Sequence, residues 1–174
     1  MSKDDKQLLI TDLCGRLPYG VKVRYMSVGE TMPQVWDLIG MPAAEHCDIL
    51  VPNERRFSAV PIQEVKPYLR PIDSMTIEEL EDYARHKFAS DKIWEIAEFR
   101  NAGWFLNVKC KNKNDGGTWT FQVKRTSPLE DYKGIDWLNS HFFDYRGLLK
   151  NGLALKAPED MYDFSNRSTG NGDN

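Results

Sequence analysis

VKVRYMSVGETMPQVWDLIGMPAAEHCDILVPNERRFSAVPIQEV, residues 21–65, decides the fold. It contains four short apolar runs, Val21–Met26, Val35–Ile39, Ile49–Val51 and Phe57–Val65, parted by Gly29, Met32-Pro33, Met41-Pro42 and Asn53-Glu54. Runs of this length between turn-forming residues read as strands. Val21, Val23 and Tyr25 alternate with Lys22 and Arg24, the pattern of a strand with one wet face. Pro61 confines the last run to an edge or a bulge, because proline has no N–H to give to a ladder. Four strands in about 45 residues predict a small, strongly curved antiparallel sheet or partial barrel.

Outward from this run the chain alternates helix and strand signals. Residues 4–17 predict an amphipathic helix, with Ile10, Leu13, Cys14 and Leu17 at i, i+3, i+4 and i+7 and Asp4 and Asp5 at the positive end. Gly15 and the following LPYG are expected to stop it. Pro67 and Pro71 are expected to close the first unit, residues 1–73, for which a Src-homology-3-like topology is one option. Thr76 and Glu79 then form a T-x-x-E capping box, with Met75 and Leu80 at its staple positions. The helix it opens should run from Ile77 to about Phe88 and bury Ile77, Leu80, Tyr83 and Ala84.

DKIWEIAEFR, residues 91–100, fits a helix capped by Ser90 about as well as a strand, and the strand is the reading taken. WFLNVKCKNKNDGGTWTFQVKR, residues 104–125, is two alternating runs around Asn114-Asp115-Gly116-Gly117, a hairpin signal because those residues tolerate positive φ. Leu106, Val108 and Cys110 should share one face with Trp119, Phe121 and Val123, leaving the lysines on the other. Ser127, Pro128 and Glu130 mark another helix entry, with Tyr132, Ile135, Leu138 and Phe142 at helical spacing and Gly147 and Gly152 as C-caps around a second short turn. Residues 74–163 thus form a second α+β unit that either shares the core of the first or has its own, and 164–174 should be a mobile tail. The fold class is α+β: an N-terminal helix with a small curved sheet, then helix, antiparallel hairpin and C-terminal helix.

With 174 residues, 41% hydrophobic and 11% aromatic, the chain can bury a core. No apolar run approaches the roughly 20 residues of a membrane span, and the N-terminus has no signal pattern, so a cytoplasmic protein without membrane contact is expected. Cys14, Cys47 and Cys110 lie far apart and are expected to be buried, reduced thiols. The net charge of −3 gives no long-range attraction to polyanions, but it is unevenly spread. Acids outnumber bases seven to three in residues 74–98, and bases outnumber acids six to one in 99–127.

That basic segment supplies the first candidate site: Lys109, Lys111, Lys113, Lys124 and Arg125 on a two-stranded ribbon could follow phosphates, or could be a solvated face that discourages edge pairing. The second is His141, Asp144 and Arg146, where an imidazole and a carboxylate stand at i, i+3 beside an arginine. Helix-end and turn formation is the favoured reading of these residues over ligand contact. Glu45-His46-Cys47-Asp48 has metal-binding atoms, but neighbours on a strand point to opposite faces, so no metal is expected. His86 suits the C-terminal end of its helix. There is no phosphate-binding loop, G-x-S-x-G or H-E-x-x-H, and neither catalytic residues nor a cofactor are assigned.

Four words, LLITDLCGRLPYGVKV, VKPYLRPIDSMT, DWLNSHFFDYRGLLKNGLAL and APEDMY, resemble in the same order a family of uncharacterised proteins encoded by gut anaerobes and their phages or prophages. The segment from about 91 to 127 lies outside the resemblance, and PIDSMT stands where the family has PMSSMT. The resemblance implies a phage, prophage or mobile-element setting but no activity; with no catalytic constellation in the sequence, a non-catalytic accessory or interaction protein with a protein partner is expected. Nucleic-acid binding through hairpin 104–125 is the alternative, and an enzyme using 141–146 the second alternative.

Overall fold

The computed structural model describes residues 1–26, 31–32, 34–43, 45–51, 55–88, 94–101, 105–112, 116–124 and 132–162. They form an α+β protein with helices α1 (Lys3–Arg16), α2 (Ile77–Phe88) and α3 (Tyr132–Ser140). The strands are β1 (Lys22–Tyr25), β2 (Gln34–Ala43), β3 (His46–Val51), β4 (Arg55–Pro61), β5 (Lys66–Leu69), β6 (Trp94–Asn101), β7 (Phe105–Asn112), β8 (Thr118–Lys124) and β9 (Leu155–Lys156). The six-stranded sheet runs β4-β3-β2-β1-β5-β9, antiparallel except for the parallel pair β5–β9. Within it β4, β3, β2, β1 and β5 are neighbours in that order, and a 3-10 turn at Ile62–Glu64 leads into β5. The second sheet is β6-β7-β8.

The four apolar runs of residues 21–65 became β1 to β4, and Pro61 ends β4, an edge strand. The expectation that Pro67 closes the unit is corrected: it lies in β5, buried and opposite Val23. Proline removes one donor, but its fixed φ is compatible with extended backbone, and the β1–β5 ladder is only two residue pairs long. Residues 94–101 form a strand, which decides between the two readings their pattern allowed, while Asp91–Ile93 lie outside the described residues. In the hairpin, Leu106 pairs with Val123, Val108 with Phe121 and Cys110 with Trp119, the expected register. The predicted helix entry at Ser127, Pro128 and Glu130, and the tail from residue 164, also lie outside the described residues.

The buried face of α1 differs from the expected one. Leu9, Asp12, Leu13 and Arg16 are buried, whereas Cys14 is exposed. Gly15 does not end the helix; a Cβ there would lie 3.0 Å from Asn139 Nδ2, so its lack of a side chain lets α1 approach α3. The capping box of α2 is present, with Thr76 N donating to Glu79 Oε2 at 2.9 Å and Glu79 N donating to Thr76 Oγ1 at 3.2 Å. Leu80, Tyr83 and Ala84 are buried, but Ile77 in the first turn is 48% exposed, and Tyr132 at the start of α3 is 74% exposed. Both stand in the first turn of their helices, where among the described residues no neighbouring element covers them.

Two apolar clusters result. The first joins Leu9 and Leu13 of α1 to Val23, Trp36, Leu38, Ile49 and Leu69 of the large sheet; the second joins Leu80 and Tyr83 of α2 to Val108, Phe121 and Val123 of the small one. The chain after α3 serves both: Phe142, Leu148 and Leu153 enter the first cluster and Phe143 and Tyr145 the second. The division comes from the end of α3. Phe143 N donates to Leu138 O and Phe142 N to Asn139 O, a Schellman motif whose left-handed position, usually glycine, is Phe142 at φ +59°. Consecutive phenylalanines thereby point into different cores.

Left-handed backbone costs a non-glycine residue about 1–2 kcal/mol. At Phe142 the buried ring, stacked on Tyr162 with centroids 3.8 Å apart, outweighs that cost. At Ala59, φ +57°, an exposed methyl group offers no such return. The two positions should therefore respond oppositely in urea unfolding. Ala59→Gly should stabilise the protein by about 0.5–1 kcal/mol, the strain relieved less the added entropy of the unfolded chain. Phe142→Ala should destabilise it by about 3–5 kcal/mol.

Candidate functional site

The segment 137–153 contains the residues that most resemble a reactive group, and its local chemistry explains their positions. His141 follows the last turn of α3, where its ring stacks on Trp137 with centroids 3.8 Å apart. Its Nδ1 lies 2.9 Å from Trp137 O and 3.0 Å from Ser140 Oγ; to bond the carbonyl, Nδ1 must carry the proton. Trp137 in turn donates its indole N–H to Asp82 Oδ2 at 2.7 Å, tying α3 to α2.

Asp144 turns its carboxylate onto backbone amides. Oδ1 accepts from Leu148 N at 2.8 Å and Oδ2 from Leu149 N at 2.9 Å, capping the turn that ends at Gly152, φ +68°. Leu153 N donates to Leu148 O and Gly152 N to Leu149 O, so this turn closes with a second Schellman motif, here with the usual glycine. Burial pushes the Asp144 carboxyl above its ordinary value, outweighing the two amides, which favour the charged form; Asp12 adds to the rise and Arg16 opposes it.

Behind Asp144 lies a buried ionic cluster that the sequence did not announce. Asp12 and Arg16, one turn apart on α1, are both shielded from water and pair in bidentate fashion, Nε to Oδ2 at 2.7 Å and Nη2 to Oδ1 at 2.9 Å. The guanidinium also donates to Phe143 O at 2.8 Å and Leu138 O at 3.4 Å. Arg146 Nε lies 3.5 Å from Asp12 Oδ1, and the two arginines flank the Tyr145 ring, whose hydroxyl donates to Asn139 Oδ1 at 3.0 Å. A third arginine repeats the arrangement from the other side. Arg70 pairs with Glu79 at 2.6 and 3.0 Å and lies over the Phe143 ring, while its backbone N–H donates to Phe142 O and its carbonyl accepts from Asp144 N, both at 2.8 Å.

The structure thus brings His141, Asp144 and Arg146 into one neighbourhood and engages each in holding it. The hairpin residues stand apart from it. Lys109 and Lys111 are exposed on the face opposite Val108 and Cys110; Lys113 and Arg125 lie outside the described residues, and Lys124 is described as a position in β8. The ladder partners of Lys109 and Lys111 on β6 are Glu98 and Glu95. Opposed residues of an antiparallel ladder share a face, so the lysine row runs beside acidic positions.

In the 45–48 stretch, Glu45 pairs with Lys6 at 2.7 Å, Cys47 lies in the core, and Asp48 Oδ1 accepts from Ala59 N at 3.0 Å. Among the described residues no three His, Cys, Asp or Glu side chains gather as a metal would require. Burial pushes the Cys47 thiol up to about 12 and the Cys110 thiol up to about 11, so neither is a thiolate near neutral pH. His86 is exposed in the last turn of α2. Among the described residues, no helix is long and apolar enough to cross a membrane.

The raised Asp144 carboxyl has a measurable sign. Its favourable contribution is fully present below the unfolded value of about 4 and is lost as pH rises through the higher folded value. In urea unfolding from pH 4 to 7, the stability of Asp144→Asn minus that of the unaltered protein should therefore rise with pH; a falling difference would reverse the assignment. No family model matches the chain, and no curated protein or solved structure matches it either, so its function must be read from its own residues.

Proposed function

We propose that this protein is a non-catalytic accessory or interaction protein of a phage, prophage or other mobile element, acting in the cytoplasm through a protein partner. The observation that carries this reading is the engagement of the reactive-looking residues: His141 on the Trp137 carbonyl, Asp144 on two backbone amides and Arg146 beside buried Asp12. These groups maintain a fold junction, and a junction of this kind supports a surface held in fixed shape. The mobile-element setting comes from the four words of the sequence resemblance. Those words also meet in space: Arg16 reaches Phe143, Arg70 reaches Phe142 and Asp144, and Tyr162 donates to Tyr68 O at 2.8 Å.

Nucleic-acid binding is the second reading, favoured by the exposure of Lys109 and Lys111 on one face of a ribbon and weakened by their acidic ladder partners. A tagged pull-down from the native host, with and without nuclease, separates the two. The first reading expects a protein partner that survives nuclease and is retained by Lys109→Glu/Lys111→Glu. The second expects nucleic acid in the eluate, an affinity that falls linearly with salt on logarithmic axes, and loss of binding in the double variant with stability unchanged. Absence of any nuclease-resistant partner would overturn the first reading.

A further inference from the structure

We propose that the cavity at the carboxyl end of β1 receives a protein segment in which an acidic side chain adjoins an apolar one, with Arg24 taking the carboxylate. The inference rests on the interaction-protein reading and names the chemistry of its partner. Val23 and Tyr25 turn into the first core, leaving Lys22 and Arg24 on the wet face of β1. Lys22 has a counter-ion, Asp37, at 2.9 Å. Lys66, directly across the ladder from Arg24, donates its ammonium to Gly152 O at 2.7 Å. Among the described residues the Arg24 side chain has neither an ion pair nor a hydrogen bond.

Two cations opposed across a ladder destabilise it, and a half-buried guanidinium gives up part of its hydration. A carboxylate placed on Arg24 relieves both penalties and can be held by two parallel N–H donors. Arg24, Tyr25, Met26 and Glu64 line a cavity of about 480 Å³, within the range that holds small groups. Beside the cation lies apolar surface: Met26 is 57% exposed, and Val35, the ladder partner of Arg24 on β2, is 42% exposed. The complement of that pairing is a carboxylate next to an apolar side chain. Glu64 in the same lining disfavours a phosphate backbone, which would bring repeated negative charge against it.

The test titrates the full-length protein with three capped hexapeptides, alternating leucine with glutamate, glutamine or lysine, and with a ten-nucleotide oligothymidylate. Backbone amide chemical shifts of residues 22–26 and 64 give the readout. The glutamate peptide should shift these amides saturably. Its dissociation constant should rise at least tenfold in Arg24→Ala and Arg24→Glu and stay unchanged in Lys111→Glu, as expected for loss of a charged hydrogen-bonded contact. Glu64→Gln should tighten it.

The Arg24 variants should melt at the same temperature or higher, since they remove a like-charge opposition; Arg24→Gln gives the same comparison should either of the others unfold. No saturable shift up to millimolar peptide, equal binding by Arg24→Ala, or binding of the oligothymidylate in place of the peptide would overturn the proposal. A nuclease-resistant partner captured equally well by Arg24→Glu would overturn this site while leaving the interaction reading standing. Absence of any such partner would overturn that reading whatever the peptides do.

Discussion

A guanidinium closed off from water holds this fold together. Arg16 meets Asp12 through two hydrogen bonds and carries its remaining donors to the carbonyls of Leu138 and Phe143, residues more than a hundred positions away. Removing one partner of a buried pair leaves an uncompensated charge at a cost of about 3–5 kcal/mol. The geometry therefore fixes where the end of α3 lies on α1. Once it lies there, Phe142 and Phe143 can only diverge, one into each core. Arg70 then fixes the same peptide units from the opposite side through Phe142 O and Asp144 N. Two arginines from distant segments thus clamp one irregular stretch, and the two sheets take their relation to each other from it.

This arrangement explains how far the sequence could be read. Periodicity located β1 to β4, the hairpin register and the capping box of α2, because each depends on neighbours in the chain or on simple alternation. β5 was missed because Pro67 is a strong local signal against a strand, and its pairing with β1 is decided by residues more than forty positions away. The α1 face was misjudged for a related reason. Leu9, Asp12, Leu13 and Arg16 do recur at helical spacing, but an aspartate and an arginine read as wet unless their distant partners are known. Exposed Cys14 was the corresponding error on the opposite side of the helix.

The candidate site was legible in kind rather than in wiring. That HFFDYRGLLKNGLAL forms turns and packs followed from its glycines and its apolar residues. That Phe142 occupies the left-handed position could not follow, since glycine would be the local choice; the ring's place in the first core decides it. Arg24 illustrates the same limit. Its alternation on β1 was plain, but that no described residue serves it as a counter-ion became visible only when Lys22 and Lys66 were seen to have partners elsewhere.

The parallel pair β5–β9 bears on how the chain is made. During synthesis the first five strands emerge well before Leu148, Leu153 and Ala154, the residues that complete their cluster, and before β9, which covers the edge of β5. Until residue 157 donates its amide to Leu69 O, that edge is open and Arg16 has not met Phe143. Contacts of such long sequence separation form late, because loop closure must precede them. The nascent N-terminal unit is therefore an incomplete domain with an available strand edge, the state most exposed to mispairing on a crowded ribosome. Closure comes only when residues 148–157 leave the tunnel, so this segment acts on the folding pathway as a latch for the beginning of the chain.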